Sequence, residues 1–174
     1  KKTIVSIYVN PKQFNSKKDY FSYPRVIKHD LNILKKLSID YVYLPNFKDV
    51  YNFKTTNKVY LDKFSKELCG KYRKGHFQGV VNVVNRLLEI IKPNFIVLGL
   101  KDFQQLYLIK KHIKRRNINV KLISGKTIRE KNGIACSSRN MNLSNKETII
   151  ASKVKNYLKK NKKNFLKPNF KNKT

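Results

Sequence analysis

The chain of 174 residues contains no tryptophan, only ten acidic residues and only two cysteines. Cys69 and Cys136 form no CxxC pair and no metal-ligand spacing, which excludes a disulfide-stapled scaffold and leaves two reduced thiols of a cytosolic protein. No apolar run approaches the roughly 20 residues that a membrane-spanning helix requires, and no signal or transit segment is expected ahead of the first predicted strand. The first residue is Lys rather than Met, so the chain is expected to be an excerpt, or the product of a gene whose start lies elsewhere. No internal repeat and no disordered domain is found. Alanine is confined to Ala135 and Ala151, while Lys, Asn and Ile are abundant, a skew that fits AT-rich codons.

The shortage of acid leaves 40 Lys and Arg against 10 Asp and Glu, a net charge of +30. A balance of this kind points first to a polyanion partner. Here the cations are mostly lysines spread along the chain rather than gathered in a stripe, and no RRM, KH or OB signature accompanies them. A basic RNA-binding module is therefore disfavoured, although non-specific sticking to RNA is expected in low salt. The length suffices for one domain with a real core.

Lys1 to Val9 reads as a buried parallel strand, nearly continuous in apolar residues. Pro11 ends it, leaving Asn10 and Gln13 at a strand's carboxyl end. These two either face a ligand or form a polar turn with Phe14 plugging the core. After Tyr23-Pro24-Arg25, with Pro24 suited to a first helical turn, Ile27, Leu31, Leu34 and Leu37 mark a helix. Asp40 to Pro45 reads as a second strand, Phe47 to Tyr51 as a helical turn, and Thr55 to Leu61 as a weaker third strand. A basic loop at 68–75 leads to His76, which opens a helix to about Ile91 with Val80, Val83, Val84, Leu87, Leu88 and Ile91 buried. A histidine there is most often a cap or packs locally.

Phe95 to Leu98 forms the central strand and runs into Gly99-Leu100-Lys101-Asp102-Phe103-Gln104-Gln105-Leu106. Strand, glycine turn, helix is where α/β proteins bind ligands. Gly99 has no Cβ to obstruct a ligand, Lys101 supplies a mobile cation suited to phosphate, and Gln104 can donate and accept. Leu106, Ile109 and Ile113 mark the following helix. Another strand spans 119–123. Asn132-Gly133 signals a hairpin that leads to Ser137, Ser138 and Arg139, either a phosphate clamp or a Ser/Asn turn with a surface arginine. Ser144 and Glu147 read as a capping box for a helix over 145–158, and residues 159–174 as a frayed, lysine-rich tail.

Five segments in order carry a resemblance: Ser6 to Phe14, Tyr23-Pro24-Arg25, Arg73 to Val80, Lys101 to Leu106, and Ser137-Ser138-Arg139-Asn140. Together they resemble the pantothenate synthetases, which join pantoate to β-alanine through a pantoyl-adenylate on the way to coenzyme A. The resemblance implies an α/β, Rossmann-like nucleotidyltransferase fold, a mostly parallel sheet with helices on both faces. It implies ATP and Mg²⁺ as substrate and cofactor, a cytoplasmic location, a homodimer, and no nucleic-acid or membrane partner. Position by position, Gln13 and Gln104 match the glutamines that hold pantoate. Gly99, Leu100, Lys101 and Asp102 match the ATP-contacting segment, and Ile128 a position against the nucleotide. Cys136, Ser137, Ser138 and Arg139 match a loop that closes on the triphosphate. Asn10, Arg73 and His76 belong to site loops. Lys101, Ser138 and Arg139 are the expected catalytic residues, and no protein-built metal site is expected.

The family's His-x-Gly-His motif has no match here, and Gly75-His76 belongs to a different segment. Expected domains are therefore 1–125, a nucleotide-binding domain lacking its first unit, and 126–174, a hairpin loop and the start of a truncated C-terminal lobe. The competing expectation is a truncated, inactive remnant.

Overall fold

The structure, a computed structural model, describes residues 1–52 and 54–165. It divides into two compact units, Lys1–Lys126 and Thr127–Thr174.

The core of the first unit forms where two amphipathic helices meet a parallel pair of strands. Helix α5 (His76–Ile91) places Phe77, Val80, Val81, Val84 and Leu88 on one face, at the three- and four-residue spacing of an apolar stripe. Leu108, Ile109 and Ile113 of α6 (Phe103–Arg115) join the same cluster. Lys92 takes a left-handed conformation and its N–H closes onto the Leu88 carbonyl, after which Pro93 prevents continuation. Strands β3 (Phe95–Gly99) and β4 (Lys121–Gly125) are parallel, in register from Phe95↔Lys121 to Gly99↔Gly125, and α6 connects them. Ile96, Leu98 and Leu122 point into the cluster, whereas Val97 is 65% exposed.

A second parallel pair joins β1 (Ile4–Ser6) to β2 (Tyr41–Tyr43). Asp40 clasps its start, accepting from the Thr3 backbone N–H and hydroxyl at 2.8 Å each and from Lys2 at 2.9 Å. These donors hold the Asp40 carboxyl well below the usual carboxylate range, with Lys2 the largest influence. The strand is shorter and more open than its apolar run implies: Ile4 is 41% exposed. Among the described residues it has one strand partner, β2, and nothing seals the face that Ile4 occupies.

The expected third strand at Thr55 to Leu61 does not form. Its backbone finds side chains instead of a neighbouring strand. Asn57 N–H donates to Glu89 Oε1 at 2.9 Å, Tyr60 N–H donates to His112 Nδ1 at 3.1 Å, and the Asn57 carbonyl accepts from Asn85 Nδ2 at 3.1 Å. Three backbone groups that a ladder would use are thereby taken. Val59 and Leu61 still pack on the core.

Helix α1 (Lys17–Ser22) was not anticipated from its polar sequence. Ser16 caps its start, and the Arg25 guanidinium closes its end, donating to the carbonyls of Tyr20 at 2.8 Å and Tyr23 at 3.1 Å. Arg25 is thereby committed to α1, and α2 (Ile27–Lys36) starts at Ile27 rather than at Pro24. The turn at Phe47 is a short helix, α3 (Phe47–Tyr51), closed by an Asn46/Asp49 capping box. A further short helix, α4 (Cys69–Tyr72), precedes α5.

In the second unit, Arg129 and Ala135 form an antiparallel bridge around Asn132-Gly133, with Gly133 at φ 89°. The Ser144/Glu147 capping box is present, with Ser144 N–H donating to Glu147 at 2.8 Å and the Glu147 N–H returning to Ser144 Oγ at 3.3 Å. Helix α7 runs Asn145–Phe165, beyond the expected stop at Leu158, so residues 159–165 are helix rather than tail. Long lysine side chains favour rather than interrupt a helix. The remainder of the expected tail, 166–174, lies outside the described residues.

Candidate functional site

The turn after β1 is fastened on both sides. Asn10 is 1% exposed; its Oδ1 accepts from the Lys12 N–H at 3.2 Å and the Tyr51 hydroxyl at 2.7 Å, while its Nδ2 donates to the Gly79 carbonyl at 3.0 Å. Only glycine fits at 79, because a Cβ there would stand 2.5 Å from the Lys12 carbonyl oxygen. The Gln13 carbonyl accepts from His76 Nδ1 at 2.6 Å and from Arg73 Nη2 at 3.4 Å. Asn15 Nδ2 donates to the Lys74 carbonyl at 2.7 Å, and the Phe14 ring meets Tyr20 and Tyr23 edge-on. Phe14 packs on these two rings and is not part of the core cluster, and among the described residues the Gln13 side-chain amide has no hydrogen-bond partner. Behind the turn, burial is the main cause that pushes the Tyr8 phenol up to about 12, with Tyr51, Tyr20 and Asp49 adding to it.

The second cluster lies at the carboxyl end of β3. Leu100–Asp102 form a single 3₁₀ turn that leads into α6. Gly99 has an ordinary extended backbone, φ −74°, ψ 134°, and a Cβ built there meets nothing within 4 Å. Its register partner Gly125 would make only ordinary contacts at 3.8 Å. Neither conformation nor crowding requires these two glycines. Side by side at the ends of parallel strands, they leave bare backbone beside the exposed Lys101 and Asp102.

Gln104 is placed differently from its expected role. It is buried, its Nε2 donates to the carbonyls of Phe64 and Glu67 at 2.8 Å each, and its Oε1 accepts from the Cys69 N–H at 3.2 Å. Both amide donors are committed to holding the 64–69 segment, so none remains for a ligand. The adjacent Gln105 is half-buried, and among the described residues its amide has no hydrogen-bond partner. The signal was present in the spacing: Gln104, Leu108 and His112 recur every four residues on the buried face, and Gln105 does not share it.

In the second unit, the Cys136 N–H donates to the Ile128 carbonyl at 3.0 Å, bringing two expected nucleotide contacts together. Ile128 and Cys136 are exposed. Ser137 caps the turn that follows, its Oγ accepting from the Arg139 N–H at 3.4 Å. Asn140 Nδ2 ties that turn to the hairpin through Glu130 at 2.7 Å and the Ala135 carbonyl at 3.0 Å. Ser138 and Arg139 are exposed on this braced turn. Among the described residues no group of three or more His, Cys, Asp or Glu is arranged to hold a metal, and no helix is long and apolar enough to cross a membrane.

Parallel strands crossed by helices, with bare glycines, a lysine and an aspartate at their carboxyl ends, define an α/β protein of the nucleotidyltransferase type. The profile of the pantoate-beta-alanine ligase family matches residues 1–174, and the chain belongs to that family. It is 42% identical over 145 residues to the pantothenate synthetase of Pseudothermotoga lettingae, covering 83% of this chain and 52% of that protein. It is 44% identical over 151 residues to that of Ruthia magnifica, covering 87% and 54%. The crystal structure of pantoate-beta-alanine ligase from Francisella tularensis complexed with beta-gamma ATP and beta-alanine superposes with a TM-score of 0.84 at 41% identity, covering 91% of this chain and 61% of that one. The Thermus thermophilus enzyme gives 0.83 at 32% identity, covering 90% and 57%. The chain spans about half the length of the curated relatives it matches.

Proposed function

We propose that this chain carries the pantoate contacts and part of the ATP contacts of an ATP-dependent ligase that condenses pantoate with β-alanine. In the first step the pantoate carboxylate attacks the α-phosphorus of ATP, forming pantoyl-adenylate as pyrophosphate leaves. In the second the amine of β-alanine displaces AMP. The carboxylate is already a nucleophile, so the first step depends on in-line positioning and on neutralising charge at the phosphates.

Lys101 supplies charge at the phosphates and Asp102 meets the ribose, while Gly99 and Leu100 offer backbone. By the family resemblance, Ile128, Cys136, Ser137, Ser138 and Arg139 are nucleotide contacts as well, Arg139 being suited to bidentate phosphate contact. Mg²⁺ enters with the triphosphate as part of the substrate, the usual manner for an ion that is held by phosphates and few carboxylates. Gln13 contacts pantoate, joined by Gln105 in preference to Gln104, whose donors are committed elsewhere. A cytoplasmic homodimer belongs to the same reading.

The observation that carries it is the Gly99 backbone beside Lys101, bare at a position where neither fold nor φ demands glycine. Calorimetry with ATP·Mg²⁺ at physiological salt, with and without pantoate, tests the reading; salt matters because a +30 chain attracts any polyanion in dilute buffer. ATP binding that tightens with pantoate and is lost in Lys101→Ala and Arg139→Ala is expected. Binding matched by inorganic triphosphate, or unaffected by those substitutions, overturns it.

A further inference from the structure

We propose that His76 is a positioning residue for Gln13: its bond to the Gln13 carbonyl sets the direction from which the Gln13 amide reaches a hydroxy acid. The inference rests on the reading of Gln13 as a substrate contact. His76 lies on a different segment from Gln13 and opens α5. Its neighbour Gly75 takes φ 76°, a left-handed turn that glycine adopts without strain. The ring is 9% exposed and its centroid lies 4.8 Å from that of the Phe77 ring, so neighbours limit its movement.

From that place Nδ1 meets the Gln13 carbonyl at 2.6 Å, shorter than the usual N–H···O bond. A carbonyl only accepts, so Nδ1 carries the proton. The neutral Nδ1–H tautomer and the cation both donate there, and the tether persists through a change of protonation. The Arg73 guanidinium adds a longer bond at 3.4 Å.

The division of labour around the turn singles out this tether. Asn10 and Gly79 seat the residues before Gln13, and Asn15 and the Phe14 rings seat those after it. Among the described residues, the Gln13 carbonyl itself is held by His76 and Arg73. Rotating a peptide plane swings the attached Cβ, so a tether on this carbonyl aims this side chain. A residue that is locked along its backbone while its amide has no protein partner is prepared for a ligand.

The test compares pantoate and ATP·Mg²⁺ affinities by calorimetry for the wild-type chain and for Gln13→Ala, His76→Leu, His76→Asn and His76→Gln. Asn carries an N–H where Nδ1 stands, whereas Gln carries one where Nε2 stands. His76→Leu and His76→Gln are expected to weaken pantoate about tenfold, the worth of one hydrogen bond, with ATP affinity changed less than about twofold. His76→Asn restores pantoate binding to within about threefold of wild type. Nitrogen-15 spectra of the wild-type ring are expected to show the Nδ1–H tautomer, the less common one in free histidine.

Equal pantoate affinity in the Asn and Gln variants overturns the proposal, and this pair decides even where His76→Leu fails to fold. An Nε2–H tautomer, or a parallel loss of both ligands, overturns it as well. Gln13→Ala that binds pantoate as wild type does, or a wild-type chain that does not bind it, overturns the underlying reading of Gln13 and the proposal with it. Weakening in Gln13→Ala with none in His76→Leu overturns the proposal alone.

Discussion

At the turn after β1 the backbone of Gln13 is held by its surroundings and its side-chain amide has no partner among the described residues; at the start of α6 the amide of Gln104 does the holding, bonded to the backbone of Phe64, Glu67 and Cys69. The two glutamines resemble each other in sequence context, each a few residues past a strand end. Their roles separate only once every donor and acceptor is traced. A polar residue in a substrate-site motif contacts substrate or builds the wall behind it, and the partners of its own side chain decide which.

The largest expected effect breaks that pair apart directly. Gln104→Ala removes three hydrogen bonds and strips the Cys69 N–H of its side-chain acceptor, with an expected loss of roughly 2–4 kcal/mol of folding stability. Gln13→Ala, at an amide with no partner among the described residues, is expected to change stability by less than about 0.5 kcal/mol. Urea denaturation midpoints of the two variants measure both. Equal midpoints would mean that the 64–69 segment does not depend on Gln104.

The glycines sharpen the same contrast. Gly79→Ala forces a Cβ to 2.5 Å from the Lys12 carbonyl oxygen, a backbone atom that cannot rotate aside, and either the Pro11–Gln13 turn or α5 must shift. A cost of about 1–3 kcal/mol is expected, as for overpacking, with weakened pantoate binding. Gly99→Ala meets no neighbour and an ordinary φ, so stability is expected to hold or rise by about 0.4–1 kcal/mol. Its effect falls on ATP, whose approach the new methyl obstructs. A Gly99→Ala chain with unchanged ATP affinity would remove the strand end from the nucleotide site.

What the sequence made legible follows from the range of the forces involved. The bounds of helix α5 are readable almost to the residue because its start and Pro93 are local, whereas its buried face is not: Phe77 and Val81, both in the core, fall outside the expected stripe, and Leu87 and Ile91 are only half-buried. The hairpin at Asn132-Gly133 and the Ser144/Glu147 capping box are local as well. The misread segment at 55–61 alternates as a strand does, but its backbone is claimed by Glu89, Asn85 and His112, residues 28 to 52 positions away. Helix α1 depends on Arg25, beyond its own end. For the candidate site, family motifs pointed to the segments, and the four-residue spacing of Gln104, Leu108 and His112 already marks Gln104 as a residue of the buried face of α6.

His112, two turns along that face from Gln104, extends the comparison to pH with the smallest expected effect, a slope rather than a collapse. Fully buried, it accepts the Tyr60 N–H at Nδ1, and its Nε2–H donates to Asn85 Oδ1 at 2.9 Å. Burial is the main cause that lowers its pKa from 6.5, the Arg116 guanidinium adds to this, and Glu89 opposes it. Protonation would set a second N–H against the Tyr60 donor. The unfolded chain takes up that proton near the ordinary value while the folded chain resists it, so the unfolded state binds more protons as the solution is acidified. Stability from this group is therefore present above about pH 6.5 and lost as the pH falls through the lower folded value. Urea midpoints between pH 7.5 and 5.5 are expected to drop for the wild type, whereas His112→Asn starts lower and changes less over the same range. Equal slopes in the two proteins would show that the 55–61 segment is not held by a neutral imidazole, and that its backbone relies on Asn85 and Glu89 alone.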